Sequence, residues 1–323
     1  MAFCWQQAQH HLTRELGWCL FSPPIMTYSL PPAATGSRQT SPVHWHIPED
    51  EEARHLLASV DQQPAMLEKF LNAREDRRLG ARFEALWQFF LDKHSFYRVL
   101  ATNLQISAGS RTLGSIDFLI EDSHLNLVIH LEVAVKFYLY LPAWIPQQSI
   151  LEKWLGPNPD DSLALKTHHF IHHQLPLSTH PEALAAIKAR GLATPNIRVA
   201  IMKGYLFYPE ASDAPTPAII NQEHPRGLWL YPGQLPALAA TFPGATWKIV
   251  DKEQWLDPEP GATTPLAAVE GEIRALLDMR KQPLMLQGKM TANSTPTLPE
   301  RIFVIPDGWP YRTNSQAAAV AAT

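Results

Sequence analysis

The chain has 323 residues, 46% of them hydrophobic and 18% charged, enough apolar material for a sizeable interior and too ordered a mix for wholesale disorder. Its 31 acidic and 27 basic side chains give a formal charge of -4, which excludes a strongly basic nucleic-acid binder but not a local basic groove. Two cysteines, Cys4 and Cys19, make neither a disulfide framework nor, alone, a thiolate zinc site, and 29 prolines without a collagen-like period mean many loops.

Residues 6–22 carry Leu12, Leu16, Cys19 and Leu20 at helical spacing and stop at Ser22-Pro23-Pro24, where proline cannot continue a helix. Residues 31–48 are predicted as an exposed loop, and Glu49, Asp50, Glu51 and Glu52 as the acidic start of the next helix. Residues 78–94 place Leu79, Phe83, Leu86 and Phe90 on one helical face, with Trp87 beside it. Three strands follow, over 97–107, 113–121 and 126–139, joined by connections short enough for an antiparallel meander.

Beyond Gly156-Pro157-Asn158-Pro159-Asp160, residues 161–175 read as a helix capped by Asp160 or Asp161. A second helix over 181–190 is closed by Gly191, and 197–207 read as a buried strand. That helical crossover permits the strand to lie parallel to one of the first three. From 208 to 262 the prolines thicken around short strand candidates at 227–230 and 247–250. Residues 264–280 look helical, 284–298 polar and loop-like, 301–305 a last strand, and the tail from Thr313 frayed. No internal repeat is seen. The start of the chain lacks a signal-peptide pattern, and no run approaches the roughly 18 apolar residues of a membrane span, so a soluble, cytoplasmic protein is expected.

Four charged residues stand out: Glu84 on the helix, Asp117 on the second strand, and Glu132 with Lys136 on the third. Asp117 lies between Ile116 and Phe118, and Glu132 between Leu131 and Val133, where a charge is costly to bury unless paired or bound to metal. Alternation puts Glu132, Ala134 and Lys136 on one strand face, and an adjacent antiparallel strand can bring Asp117 to it. Carboxylates with a lysine nearby are what a Mg²⁺-dependent phosphodiester hydrolase requires.

This spacing resembles the PD-(D/E)xK phosphodiesterase superfamily, whose core runs helix, three strands, helix, strand. Gly114-Ser115-Ile116-Asp117-Phe118 is similar to its aspartate motif, Glu132 to its second acid, and Glu84 to its helix acid. The superfamily's lysine normally follows two residues after the acid, at Ala134 here; Lys136 lies about 6–7 Å further along the same face, and Lys166 on the following helix is an alternative charge. At closer range, LGARFEALWQFFL, NLQISAGSRTLGSIDFL, HLEVAVKFYL, GPNPDDSLALK, RIFVIPDGWP and the early TRELGWCLFSPPIM resemble the bacterial family known as domain of unknown function 1853, over residues 12–310.

The resemblance implies an α/β fold with a restriction-endonuclease-like core: a mixed sheet flanked by helices, with proline-rich C-terminal additions. Its division would be an N-terminal helical region over 1–75, a nuclease-like core over 76–210, and a loop-rich extension over 211–323 packed on the core. The implied activity is metal-dependent hydrolysis of DNA or RNA. Asp117, Glu132 and Glu84 would hold Mg²⁺ or Mn²⁺, with the Val133 carbonyl a further donor, and Lys136 would stabilise the transition state. From the residues themselves, Gln105 on the preceding strand would orient the attacking water or simply form a polar strand face. Arg111 after the glycine turn would bind phosphate or stay solvated, and Lys166 would be the alternative charge. The competing reading is an inactive nuclease-like fold that binds nucleic acid or protein.

Arg74, Arg77, Arg78 and Arg82 form a basic stretch diluted by Glu75 and Asp76, read as a helix surface rather than a phosphate track. His168, His169, His172 and His173 contain two i, i+4 pairs, but without HExxH or a third ligand they read as a polar helix face. Trp144, Trp154, Trp229, Trp255 and Trp309 read as packing anchors.

Overall fold

The computed structural model describes residues 3–30, 45–144, 146, 147, 149–210, 212, 214–257, 261–290 and 298–310. The residues 31–44 of the expected loop and the tail from Thr313 lie outside them. The chain is a mixed α/β protein with a mixed sheet flanked by helices. Its contacts divide it into two units that do not follow chain order. Unit 1 comprises Met1–Val135, Lys166–Gly204 and Ile219–Glu223; unit 2 comprises Lys136–Leu165, Tyr205–Ala218 and His224–Thr323.

Unit 1 opens with α1 (His11–Phe21), which stops at Ser22 before the two prolines, and β1 (Met26–Leu30). The acidic cluster does start a helix: α2 (Glu51–Gln62) is capped by the Asp50 side chain, which accepts from the Ala53 N–H at 2.8 Å. Of the loop expected to be exposed, Trp45 and Ile47 are buried. The Trp45 Nε1 donates to Asp122 at 2.9 Å. Next come α3 (Ala65–Asn72) and α4 (Leu79–Lys93), whose Leu79, Phe83, Leu86, Trp87 and Phe90 are all buried.

The meander is β2 (Tyr97–Ala108), β3 (Arg111–Asp122) and β4 (Leu127–Tyr140), antiparallel throughout and turned at Gly109 with φ +62°. Beyond β5 (Trp154–Leu155) come α5 (Leu163–His169), a π-helical turn at Phe170–Gln174, α6 (Leu175–Leu177) and α7 (Pro181–Ala189). The cap of α5 is Ser162, whose Oγ accepts from Leu165 N–H at 3.1 Å, rather than an aspartate. Gly191 closes α7 in the left-handed conformation, donating to the Lys188 carbonyl at 2.9 Å.

Then β6 (Ile197–Pro209) lies beside β4. Asn196, just ahead of β6, donates to the Val128 carbonyl at the start of β4, so the two strands run parallel. In unit 1 the strand order is thus β2-β3-β4-β6, with β1 antiparallel on β6. Leu104, Ile106, Ile116 and Leu119 of the hairpin bury against Leu177, Ala183 and Ile187, which seats α6 and α7 on the sheet.

Unit 2 contains the last parts of β4 and β6 and adds β7 (Arg226–Leu230), α8 (Leu235–Thr241), β8 (Thr246–Val250), β9 (Thr264–Pro265), α9 (Leu266–Arg280), β10 (Leu284–Lys289) and β11 (Arg301–Val304). Its order is β6-β7-β11-β10-β8-β9, with β6-β7 and β7-β11 parallel. The polar loop expected over 284–298 begins instead as β10. Leu284 and Leu286 are buried with Leu235, Leu238, Ile273 and Leu277 of the two helices, and that burial overrides the polar residues after them. Trp154, Trp229, Trp255 and Trp309 are buried side chains.

One buried cation in unit 1 has a testable consequence. Lys203 on β6 is 4% exposed and donates to the carbonyls of Leu20, at 3.0 Å, and of Ser22, at the end of α1. Burial lowers its ammonium group from the ordinary 10.5 to about 7. Between those values the unfolded chain holds a proton that the folded chain does not, so stability rises with pH across that window and is lost as pH falls through about 7. The stability difference between wild type and Lys203→Met, measured by denaturant unfolding from pH 6 to 10, should therefore shift toward wild type by up to about 1.4 kcal/mol per pH unit. A pH-independent difference would show that the buried amine stays charged.

Candidate active site

Asp117 stands at an interruption of the sheet on both of its sides. On the β2 side the pairing passes from Thr102↔Phe118 to Leu104↔Ile116, leaving Asn103 opposite Asp117. Asn103 has φ +46°, a left-handed conformation that asparagine adopts more readily than most residues. On the β4 side the ladder ends at Phe118↔Leu131. One step further, side chains take over. The Asp117 N–H donates to Glu132 Oε1 at 3.2 Å, and the Val133 N–H donates to Asp117 Oδ2 at 3.1 Å. Each acid thereby satisfies a backbone donor of the opposite strand, so both are part of the strand pairing as well as candidates for chemistry.

Glu132 is fully buried. Its Oε1 also meets His130 Nε2 at 2.7 Å, and its Oε2 accepts from the Gln174 amide. Burial depresses His130 from 6.5 to about 3, keeping the imidazole neutral; with its proton on Nε2 facing the carboxylate, Nδ1 accepts from the Ser178 hydroxyl at 2.8 Å. Gln174 Oε1 in turn accepts from Lys166 Nζ and from His169 Nδ1, both at 2.9 Å. Lys166 also lies 3.8 Å over the Phe170 ring.

Glu84, from α4, and Asp117 line one polar pocket of about 760 Å³, together with Arg74, Arg78, Gln88, Asn103 and Ser115. Burial, reinforced by Glu132, pushes Asp117 up to about 8. Burial, reinforced by Asp117, pushes Glu84 up to about 7, and burial, with a smaller push from Glu84, raises Glu132 to about 7. Lys166, on α5, opposes the rise at all three, and Arg74 adds to it at Glu84.

Lys136, expected to supply that charge, is engaged elsewhere. Its Nζ is 2.6 Å from Asp161 Oδ2, and the Tyr138 hydroxyl donates to Oδ1 of the same carboxylate at 3.2 Å. The turn that binds Gly156 N–H to the Asp161 carbonyl at 2.8 Å brings this aspartate back to Lys136. Gln105 is exposed opposite Ser115, which lines the pocket. Arg111 is exposed at the hairpin tip, paired with Ala108 and about 20 Å along the strand from Asp117.

The basic stretch is mostly neutralised locally. Arg82 makes a two-pronged pair with Glu15 at 2.5 and 2.6 Å, Arg78 pairs with Asp76, and Arg77 donates to Asn72. Arg74 donates to Gln88 at 2.8 Å and stacks over Phe70. The four histidines are exposed, with the His168 and His172 rings 4.6 Å apart.

Among the described residues, no group of three or more His, Cys, Asp or Glu side chains is placed to hold a metal ion. Hydrogen bonds occupy both Glu132 oxygens, which leaves Glu84 and Asp117 as the helix and strand acids facing a pocket that Glu75 and Asp76 also line. Two carboxylates in an open polar pocket fit a hydrated Mg²⁺, which keeps several waters and takes one or two carboxylates plus substrate phosphates.

Asn103, His130, Gln174 and Ser178 were not singled out by sequence reasoning. His130 could have been, since it precedes Glu132 by two residues and so shares its strand face. The position of Gln174 depends on the π turn, which shifts helical phase without a marker in the sequence.

The fold and site define a mixed α/β protein with two acids built into a splayed hairpin beside a polar pocket. The chain belongs to the family described as Domain of unknown function (DUF1853), whose model matches residues 14–305. No curated protein and no solved structure matches the chain. Among the described residues, no helix is long and apolar enough to cross a membrane.

Proposed function

We propose that unit 1 is a PD-(D/E)xK-like core that hydrolyses nucleic-acid phosphodiester bonds with Mg²⁺ or Mn²⁺. The observation that carries this reading is the shared pocket of Glu84 and Asp117, the latter fixed by Glu132 across the splayed strands. The element order α4, β2-β3-β4, α5–α7, β6 agrees with it.

In this reading Glu84 and Asp117 would hold the ion, which when bound would acidify a water and offset charge at the phosphate. Glu132 keeps Asp117 in place through the backbone bond. Lys166, rather than Lys136, provides the ammonium group that favours the more negative transition state. Arg74, held by the neutral Gln88 rather than by an acid, offers positive charge to the phosphates of DNA or RNA at the pocket wall.

One observation favours the competing reading, a non-catalytic module that binds nucleic acid or protein: the oxygens of Glu132 are already taken. Incubation of purified protein with labelled DNA and RNA separates the two. Cleavage that requires Mg²⁺ or Mn²⁺, stops with chelator and returns on metal readdition is expected. Binding without cleavage at any metal concentration would transfer the assignment to the module.

A further inference from the structure

We propose that Gln174 is a positioning residue that couples Lys166 to Glu132, delivered to that place by the π-helical turn Phe170–Gln174. The inference rests on the hydrolase reading and adds to it the side chain through which the helix-borne cation and the strand-borne acid act together.

The amide has one orientation that satisfies its neighbours. Its oxygen accepts from Lys166 Nζ and His169 Nδ1, and its NH₂ donates to Glu132 Oε2. Reversed, it would set donors against an ammonium group and an oxygen against a carboxylate. The other side of Glu132 is held by His130, which Ser178 holds in turn. Glu132 is therefore gripped between Gln174 of the π turn and His130 of its own strand, and its Oε1 fixes the main chain of Asp117. A regular α-helical turn would rotate Gln174 by roughly 100° relative to Lys166, away from this acid. The wide turn is what allows Lys166 and Gln174, eight residues apart, to meet.

The test is a double-mutant cycle with Gln174→Met, Lys166→Met and the pair, read on turnover, on KM and on denaturant unfolding. Gln174→Met is expected to lower kcat by about 10- to 100-fold with KM within about twofold. Adding Lys166→Met should then cost much less than it does in wild type. Gln174→Glu, which keeps the acceptor for Lys166 but loses the donor to Glu132, should retain tight coupling to Lys166 while still losing turnover. Cleavage by wild type with strictly additive losses in the double variant would overturn the role of Gln174 alone. Absence of cleavage by wild type would overturn the hydrolase reading instead. In that case the unfolding arm still decides the coupling: additive losses of stability refute it.

Discussion

Asp117→Asn is expected to remove metal-dependent cleavage by a factor of about 10³ or more while leaving the fold in place. The asparagine carbonyl can still accept from the Val133 N–H, so the strand pairing survives and the loss reports the missing charge. Asp117→Leu should differ in kind. It abandons the Val133 donor as well, and should lower unfolding stability by about 1–3 kcal/mol on top of the loss of activity. Cleavage assays with Mn²⁺ and parallel chemical denaturation distinguish the two. Wild-type turnover by Asp117→Asn would remove this aspartate from the chemistry.

The second large effect separates the two lysines. Lys166→Met should reduce turnover by about 10²- to 10³-fold, the usual loss when a preorganised cationic or hydrogen-bonding contact to the transition state is deleted. Lys136→Met should leave turnover within about twofold. Its pair with Asp161 is partly open to solvent, with the side chains 28% and 33% exposed, so the stability loss should stay near or below about 1 kcal/mol. Steady-state kinetics on the two variants make the comparison directly. The opposite ranking would return the catalytic charge to the strand.

What could be read in the sequence was whatever depended on local periodicity. The α4 face, the three strands of the meander, the turn at Gly109 and the Gly191 closure all follow from patterns spanning one element. The acids also follow, because a carboxylate between Ile116 and Phe118, or between Leu131 and Val133, is conspicuous in a strand. The structure adds what long-range contacts decide. Strand β1 pairs with β6 from some 170 residues away, for example Met26 with Met202, and its short run MTYSL has no distinctive pattern. The partner of Lys136 was equally hidden, since only the turn ending at Asp161 makes that aspartate a neighbour.

The bonds that Asp117 and Glu132 make to the main chain give these acids a reason to persist that is separate from reactivity. A descendant that had ceased to process any substrate would still gain from keeping them, because discarding either one strips a partner from an amide of the neighbouring strand. Survival of the pair across related chains is therefore a poor gauge of who remains active. A better gauge is the joint fate of Lys166 and Gln174, whose contact ties one side chain to another.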